Sequence, residues 1–193
     1  KQKTAYEIRN CDWSSDVCSS DLAGGSFSAA RTAEGSVRGW GNYPTNPTLP
    51  PVNHIAAGSA HMLAVRRDGL VAAWGWNSAD QTNVPSSLTD ASRVAAGSEH
   101  SAALRSTGTA VCWASNRYGE SAVPLGLKPL KSIACCSNST IALDAEGGVA
   151  SWGAVRVPTD LGTATAIAAG ASDNRAAVLL ADGRVRVFPN NLM

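Results

Sequence analysis

Five times along this chain one phrase of about the same length returns, and a chain so built cannot fold as an ordinary single-core domain. The clearest copies are AAGSAHMLAVRRDGLVAAWG (residues 56–75) and AAGSEHSAALRSTGTAVCWA (residues 95–114). A third is IACCSNSTIALDAEGGVASWG (133–153), and weaker copies occupy 23–41 and 168–188. The aromatic closing each copy is Trp40, Trp74, Trp113, Trp152 and Phe188, at spacings of 34, 39, 39 and 36 residues. A repeat of this period specifies an array whose units bury their apolar faces only against one another.

Each unit reads as β structure. Two short apolar runs flank Asp68-Gly69 in the second copy, and the same place holds Glu34-Gly35, Thr107-Gly108, Glu146-Gly147 and Asp182-Gly183. A glycine between two such runs marks a hairpin, because tight hairpin turns need positive φ. A further run, such as Val94-Ala95-Ala96, precedes a second glycine at Gly24, Gly58, Gly97 and Gly170. It reads as a third strand with a bend after it. Cys136 holds this place in the fourth copy, so that copy is strained or reshaped if the bend needs positive φ. Length changes fall between the strand pairs: Trp40 to Pro51, Trp74 to Pro85 and Trp113 to Pro124 are each 11 residues, but Trp152 to Pro158 is 6. Glycine and proline interrupt every candidate helical stripe, so the expected fold is all-β. The closing aromatics are expected in the core rather than as ligand platforms.

Residues 1–22 stand apart. KQKTAYEI (1–8) and DWSSDVCSSDL (12–22) read in one frame as the flanks of a sequencing-library adapter, with a sample index between them. They are expected to be adapter-derived and unstructured, leaving 23–193 as the repeat domain. The remainder carries 13 basic and 11 acidic residues, which gives no electrostatic case for nucleic acid. No apolar stretch is long enough to insert in a membrane. Cys112, Cys135 and Cys136 have neither disulfide nor zinc spacing and read as small buried fillers, Cys112 on the strand face opposite Trp113.

The phrase A-A-G-x-x-H-x-x-A-L, followed by Asp-Gly, A-W-G-x-N and a loop ending in V-P, resembles the regulator of chromosome condensation repeat. It is similar to the short bacterial form found in the type II β-lactamase-inhibitor protein. The resemblance covers residues 23–188 and implies a β-propeller, usually of seven blades. Five copies then predict a partial propeller of about five blades, a piece of a longer ring whose uncovered blade faces make residues 23–193 poorly soluble.

Chemistry is sparse. His61 and His100 share one repeat position and are expected to bond the neighbouring blade's backbone; His54 lies in a connection. No third ligand recurs with them, no serine–histidine–acid grouping stands out, and no phosphate loop opens a helix. The expectation is therefore a non-enzymatic scaffold without cofactor or metal, which binds a protein partner through the loops after the aromatic positions. The residues expected there are Tyr43, Trp76, Asn77, Arg117 and Tyr118, the aromatic and guanidinium types that anchor protein interfaces. A secreted or cell-surface place is favoured. The alternatives are a propeller enzyme with an axial metal, such as a lyase, and, by analogy with eukaryotic relatives, nucleotide exchange with chromatin binding.

Overall fold

The computed structural model describes residues 18–25, 27–42, 48–158 and 160–189, with the backbone alone over 18–23. The described residues form five antiparallel sheets of three strands, one per sequence copy. Blade one holds β1 (Cys18–Ala23), β2 (Phe27–Thr32) and β3 (Val37–Gly41); blade two holds β4 (Val52–Ala57), β5 (His61–Arg66) and β6 (Val71–Gly75). Blade three holds β7 (Ala91–Ala96), β8 (His100–Arg105) and β9 (Ala110–Ala114); blade four holds β10 (Leu130–Cys136), β11 (Ser139–Asp144) and β12 (Val149–Gly153). Blade five holds β13 (Ala164–Ala169), β14 (Ala176–Leu180) and β15 (Val185–Phe188). Within each blade the strands pair in sequence order, as consecutive hairpins require.

The five expected turns are present, and Gly35, Gly69, Gly108, Gly147 and Gly183 all have φ between +81° and +94°. Their carbonyls also join the blades. Gly35 O accepts from Val52 N, Gly69 O from Ala91 N, Gly108 O from Leu130 N and Gly147 O from Ala164 N, at 2.8–2.9 Å. Each bond runs from the first residue of a blade back to the turn of the blade before. At the opposite end, Gly25 N, Ser59 N and Ser98 N donate to Ser59 O, Gly97 O and Ser137 O of the following blades, at 3.1–3.2 Å.

Between these two rows of backbone bonds lie apolar seams. Alternation along each middle strand sends one set of side chains forward and the other back. Leu63 and Val65 thus pack forward against Val94, Ala96, Ala103 and Trp113, while Met62 and Ala64 pack back against Phe27 and Ala29. Leu63 and Val65 are at most 1% exposed, and burial of side chains of this size contributes about 2 kcal/mol each. Trp113 and Trp152 are 8% and 3% exposed and belong to different seams, so the closing aromatics of these blades are core, as expected. Cys112 joins the seam beyond Trp113, on the opposite face.

Two expectations need correction. The strand β1 includes residues 18–22, within the segment expected to be unstructured; their backbone pairs with β2, a ladder that requires extended main chain and no particular side chain. The bend glycines do not have positive φ, and neither does Cys136. They are small because chain passes close by. A Cβ on Gly58 would lie 2.5 Å from both Gly97 O and His61 Cε1. In blade four the residue three positions on is Ser139 in place of histidine, which leaves room for the Cys136 side chain, and its thiol donates to Arg175 O at 3.2 Å.

One feature was not anticipated. The first strand of every blade is irregular at the same point, between Cys18/Ser20, Val52/His54, Ala91/Arg93, Leu130/Ser132 and Ala164/Ala166. The extra residue is Ser19, Asn53, Ser92, Lys131 or Thr165, a polar side chain each time. Ser92 Oγ donates to Leu104 O at 3.0 Å, and Thr165 Oγ1 donates to Leu179 O at 3.3 Å. Such bulges sharpen local twist.

Candidate functional site

Two loops of the same length follow Trp74 and Trp113, and they fold alike. Trp76 N donates to Ala60 O and Ser115 N to Glu99 O, which starts both loops at the end of the blade where the first strand bends into the second. The amide oxygen of Asn77 accepts from Thr82 N at 2.8 Å, and that of Asn116 accepts from Ser121 N at 3.0 Å. Gln81 Oε1 accepts from Ala79 N at 2.9 Å; Glu120 Oε2 accepts from Tyr118 N at 2.7 Å. Both loops turn through positive φ one residue earlier, at Asp80 (65°) and Gly119 (85°). Side chains that bond their own loop's backbone fix its shape before any partner arrives.

The partner-binding residues expected from sequence divide accordingly. Trp76 is 49% exposed and Tyr118 is 58% exposed. The Arg117 side chain is 77% exposed, with a long contact of 3.9 Å to Glu99. These three stand outward on the two loops at one end of the blades. The Trp76 indole donates to Ser78 Oγ, which restrains the ring. Asn77 is exposed, but its amide shapes the loop on both sides, with Nδ2 donating to Asn83 Oδ1 at 3.1 Å. Tyr43 lies outside the described residues.

Sequence reading passed over Gln81 and Glu120, buried at 0% and 1% exposure. Both stand seven residues after the closing Trp, and that spacing was the available signal. Burial works to raise the Glu120 carboxyl, but hydrogen bonds from Ser115 Oγ and backbone amides outweigh it and hold the group below the ordinary carboxylate range. It is therefore an ionised acceptor at neutral pH.

The histidines serve the seams. His61 Nε2 lies 3.0 Å from Ser101 Oγ in the next blade, and Ser101 Oγ donates to Gln81 O at 2.8 Å. His100 Nε2 lies 3.0 Å from Thr140 Oγ1, which donates to Glu120 O at 2.9 Å. Because each hydroxyl spends its proton on a carbonyl, the imidazole donates, which assigns the proton to Nε2. The expected partner was the neighbouring backbone; the observed one is a hydroxyl that relays to backbone. Burial pushes both rings down to about 4, so they are neutral at pH 7. Their Nε2 atoms are directed at seam hydroxyls. Among the described residues no group of three His, Cys, Asp or Glu side chains is placed to hold a metal.

The strands β4, β7, β10 and β13 line an axial cavity of about 480 Å³ walled by residues such as Ala56, Ala95 and Ala134. His54 borders it, accepting from Val94 N at Nδ1, 3.4 Å. Burial, then the Arg93 and Arg31 charges, lower His54 to about 4. Cys112, Cys135 and Cys136 are free. Burial raises Cys112 and Cys136 to about 12 and Cys135 well above its ordinary value, so none is a thiolate nucleophile at neutral pH.

One backbone position tests the repeat directly. The residue after the closing Trp has positive φ at Gly41, Gly75 and Gly153, and also at Ala114 (78°). An L-residue there costs roughly 1–2 kcal/mol. Ala114→Gly is expected to stabilise the protein by about 1 kcal/mol, offset in part by unfolded-chain entropy. Urea denaturation followed by tryptophan fluorescence measures it; an unchanged or lowered midpoint contradicts the strain argument.

Three-stranded blades joined by backbone bonds at both ends and apolar seams between define a β-propeller repeat protein. The family model described as "Regulator of chromosome condensation (RCC1) repeat" matches residues 52–81 and 91–120, the span of blades two and three. Residues 52–81 and 91–120 are RCC1 repeats. Solved structures agree on the fold. Yeast RCC1 (Prp20), in a crystal structure bound to Kap60, is 18% identical with a TM-score of 0.76, covering 90% of this chain and 56% of that one. Human WBSCR16 is 17% identical, TM-score 0.75, covering 89% and 61%. The ectodomain of the Physcomitrella patens receptor kinase CR4 is 20% identical, TM-score 0.74, covering 89% and 50%. The chain thus spans between half and about three-fifths of these proteins. No curated protein matches it.

Proposed function

We propose that this protein is a non-enzymatic scaffold that binds another protein through the loops at one end of its blades, with Trp76, Arg117 and Tyr118 as contact residues. The observation that carries the reading is the pairing of exposure with fixation. Trp76 and Tyr118 are about half exposed, yet they sit on loops whose backbone is held by Asn77, Gln81, Asn116 and Glu120. A large side chain on a prefolded loop loses little freedom on binding, the condition under which aromatic anchors contribute most. Tyr43, on the corresponding loop of blade one, belongs to the same proposed surface. Asn77 supports the surface through its bonds to Thr82 N and Asn83. Yeast Prp20 is described as binding Gsp1p and histones, which fits a protein partner for this fold while leaving this chain's partner to its own loops.

The experiment is affinity capture from the source organism's extract with the wild-type chain and with Trp76→Ala/Tyr118→Ala. One protein captured by the first and at least about tenfold depleted with the second supports the reading, given roughly 1–2 kcal/mol lost per anchor. Equal capture by both, with unchanged thermal stability, refutes it.

A further inference from the structure

One seam position in this molecule departs from its equivalents. The residue paired with the first regular position after the bulge is Val65, Leu104, Leu143 and Leu179 in blades two to five, but Arg31 in blade one. Val65, Leu104 and Leu143 are at most 3% exposed and fill the seam ahead of them. Arg31 continues the face of β2 that carries Phe27 and Ala29, which pack against blade two. An arginine there forgoes apolar burial worth about 2 kcal/mol for a leucine. It is partly buried and lines the axial cavity together with Asn53 and His54.

Two more basic side chains stand at this level. His54 and Arg93 are themselves the first regular positions after the bulge in blades two and three, so they are equivalent and adjacent around the axis. His54 Nδ1 accepts from Val94 N, which assigns the proton of the neutral ring to Nε2; among the described residues that nitrogen has no hydrogen-bond partner. Arg93 is exposed and has no carboxylate partner among the described residues. The charges of Arg93 and Arg31 both act on His54. Among the described residues that line the cavity none is acidic. Three consecutive blades thus bring N–H donors to one depth of the axis, and both seams that set their spacing lie within the chain. A concave wall with charge of one sign and no counter-charge concentrates anions.

We infer that Arg31, His54 and Arg93 form an oxyanion site at the wall of the axial cavity, and that it binds the phosphate group of a small molecule. Guanidinium groups present fixed N–H forks that suit phosphate, and the imidazole adds a further N–H. Donors from three blades match a tetrahedral oxyanion better than a planar carboxylate. A cavity of about 480 Å³ is of the size that holds a small ligand, and Ala56, Ala95 and Ala134 give the rest of that ligand an apolar wall. His54 stands two residues from Val52, whose amide bonds the turn of blade one, so the site lies toward the end of the blades opposite Trp76 and Tyr118. It is separate from the loops proposed to bind a protein.

The test titrates inorganic phosphate into the full chain at neutral pH and constant ionic strength, following the His54 ring signals by NMR, with His54→Gln to assign them. Saturable movement is expected with phosphate and none with chloride. Because phosphate brings negative charge to the ring, the His54 midpoint should rise from about 4. Arg31→Leu installs the residue of blades three to five. It should weaken phosphate binding at least about tenfold and leave the melting temperature unchanged or raised. Should that variant fail to fold, Arg93→Gln, at an exposed side chain, carries the same expected loss of binding. Acetate should bind at least about tenfold more weakly than phosphate. The absence of a saturable shift, or wild-type affinity in either arginine variant, overturns the inference. Acetate binding as tight as that of phosphate overturns the ligand class.

Discussion

Gly97→Ala lowers stability by about 3 kcal/mol or more, the largest effect expected from one methyl group in this chain. The new Cβ would overlap the His100 ring on one side and lie 2.5 Å from the Cys136 carbonyl oxygen on the other. The first neighbour is a ring held by Thr140 in the next blade, and the second is backbone, so neither moves freely. Blade four shows the permitted alternative, in which Cys136 stands before Ser139. Gly97→Cys/His100→Ser copies that pair. It should lose less than the sum of its two single changes, by at least about 1 kcal/mol, because the singles share the clash. The rescue is partial, since the approach of the Cys136 carbonyl remains. Urea midpoints of the four proteins make the cycle. Strict additivity would falsify the claim that ring and glycine are coupled through contact.

Acidification from pH 7 to pH 4 destabilises the fold by about 3 kcal/mol for each of His61 and His100. Their folded-state values are lowered to about 4 by burial, against 6.5 for an exposed ring. Between those values the unfolded chain binds the proton and the folded chain does not. Stability is therefore complete above about 6.5 and falls with pH down to about 4. Glu120 acts in the same direction at lower pH, because a depressed carboxylate stabilises only while ionised. His61→Gln/His100→Gln keeps an N–H donor at each site and removes the titration. Its stability should be lower at pH 7 and flatter across the window, with the slope that remains coming from His54, which is also lowered to about 4. A wild type whose stability does not change between pH 7 and 4.5 contradicts the buried, neutral assignment.

What the sequence revealed of this fold follows from which positions admit only one chemistry. Turn glycines such as Gly69 and Gly183 were visible because positive φ excludes most residues. The closing aromatics were visible because a seam needs their area. The bulges were not, since Ser19, Asn53, Ser92, Lys131 and Thr165 share only polarity and any of them fits an unpaired strand position. The bend glycines were seen but given the wrong cause: crowding from a neighbouring blade leaves the same glycine as a conformational need, and only three dimensions separate them. The loop residues Asn77 and Trp76 were read together as contacts. Structure divides them, because an amide that closes its own loop and an indole held open to solvent are alike in a string of letters. Gln81 and Glu120 went unread since burial of a polar side chain runs against composition-based expectation, and their donors are local, the Ala79 and Tyr118 amides and the Ser115 hydroxyl.

The bonds from the carbonyls of Gly35, Gly69, Gly108 and Gly147 to the next blade's first amide use only main-chain atoms. Such a join is indifferent to most substitutions beside it. A unit can therefore be copied, exchanged or moved along the gene and still meet a neighbour it has never seen. Solved structures only 17–20% identical to this chain share its fold, with TM-scores of 0.74–0.76. In this architecture the spacing of the turn glycines sets the frame, and surface loops can change without disturbing it.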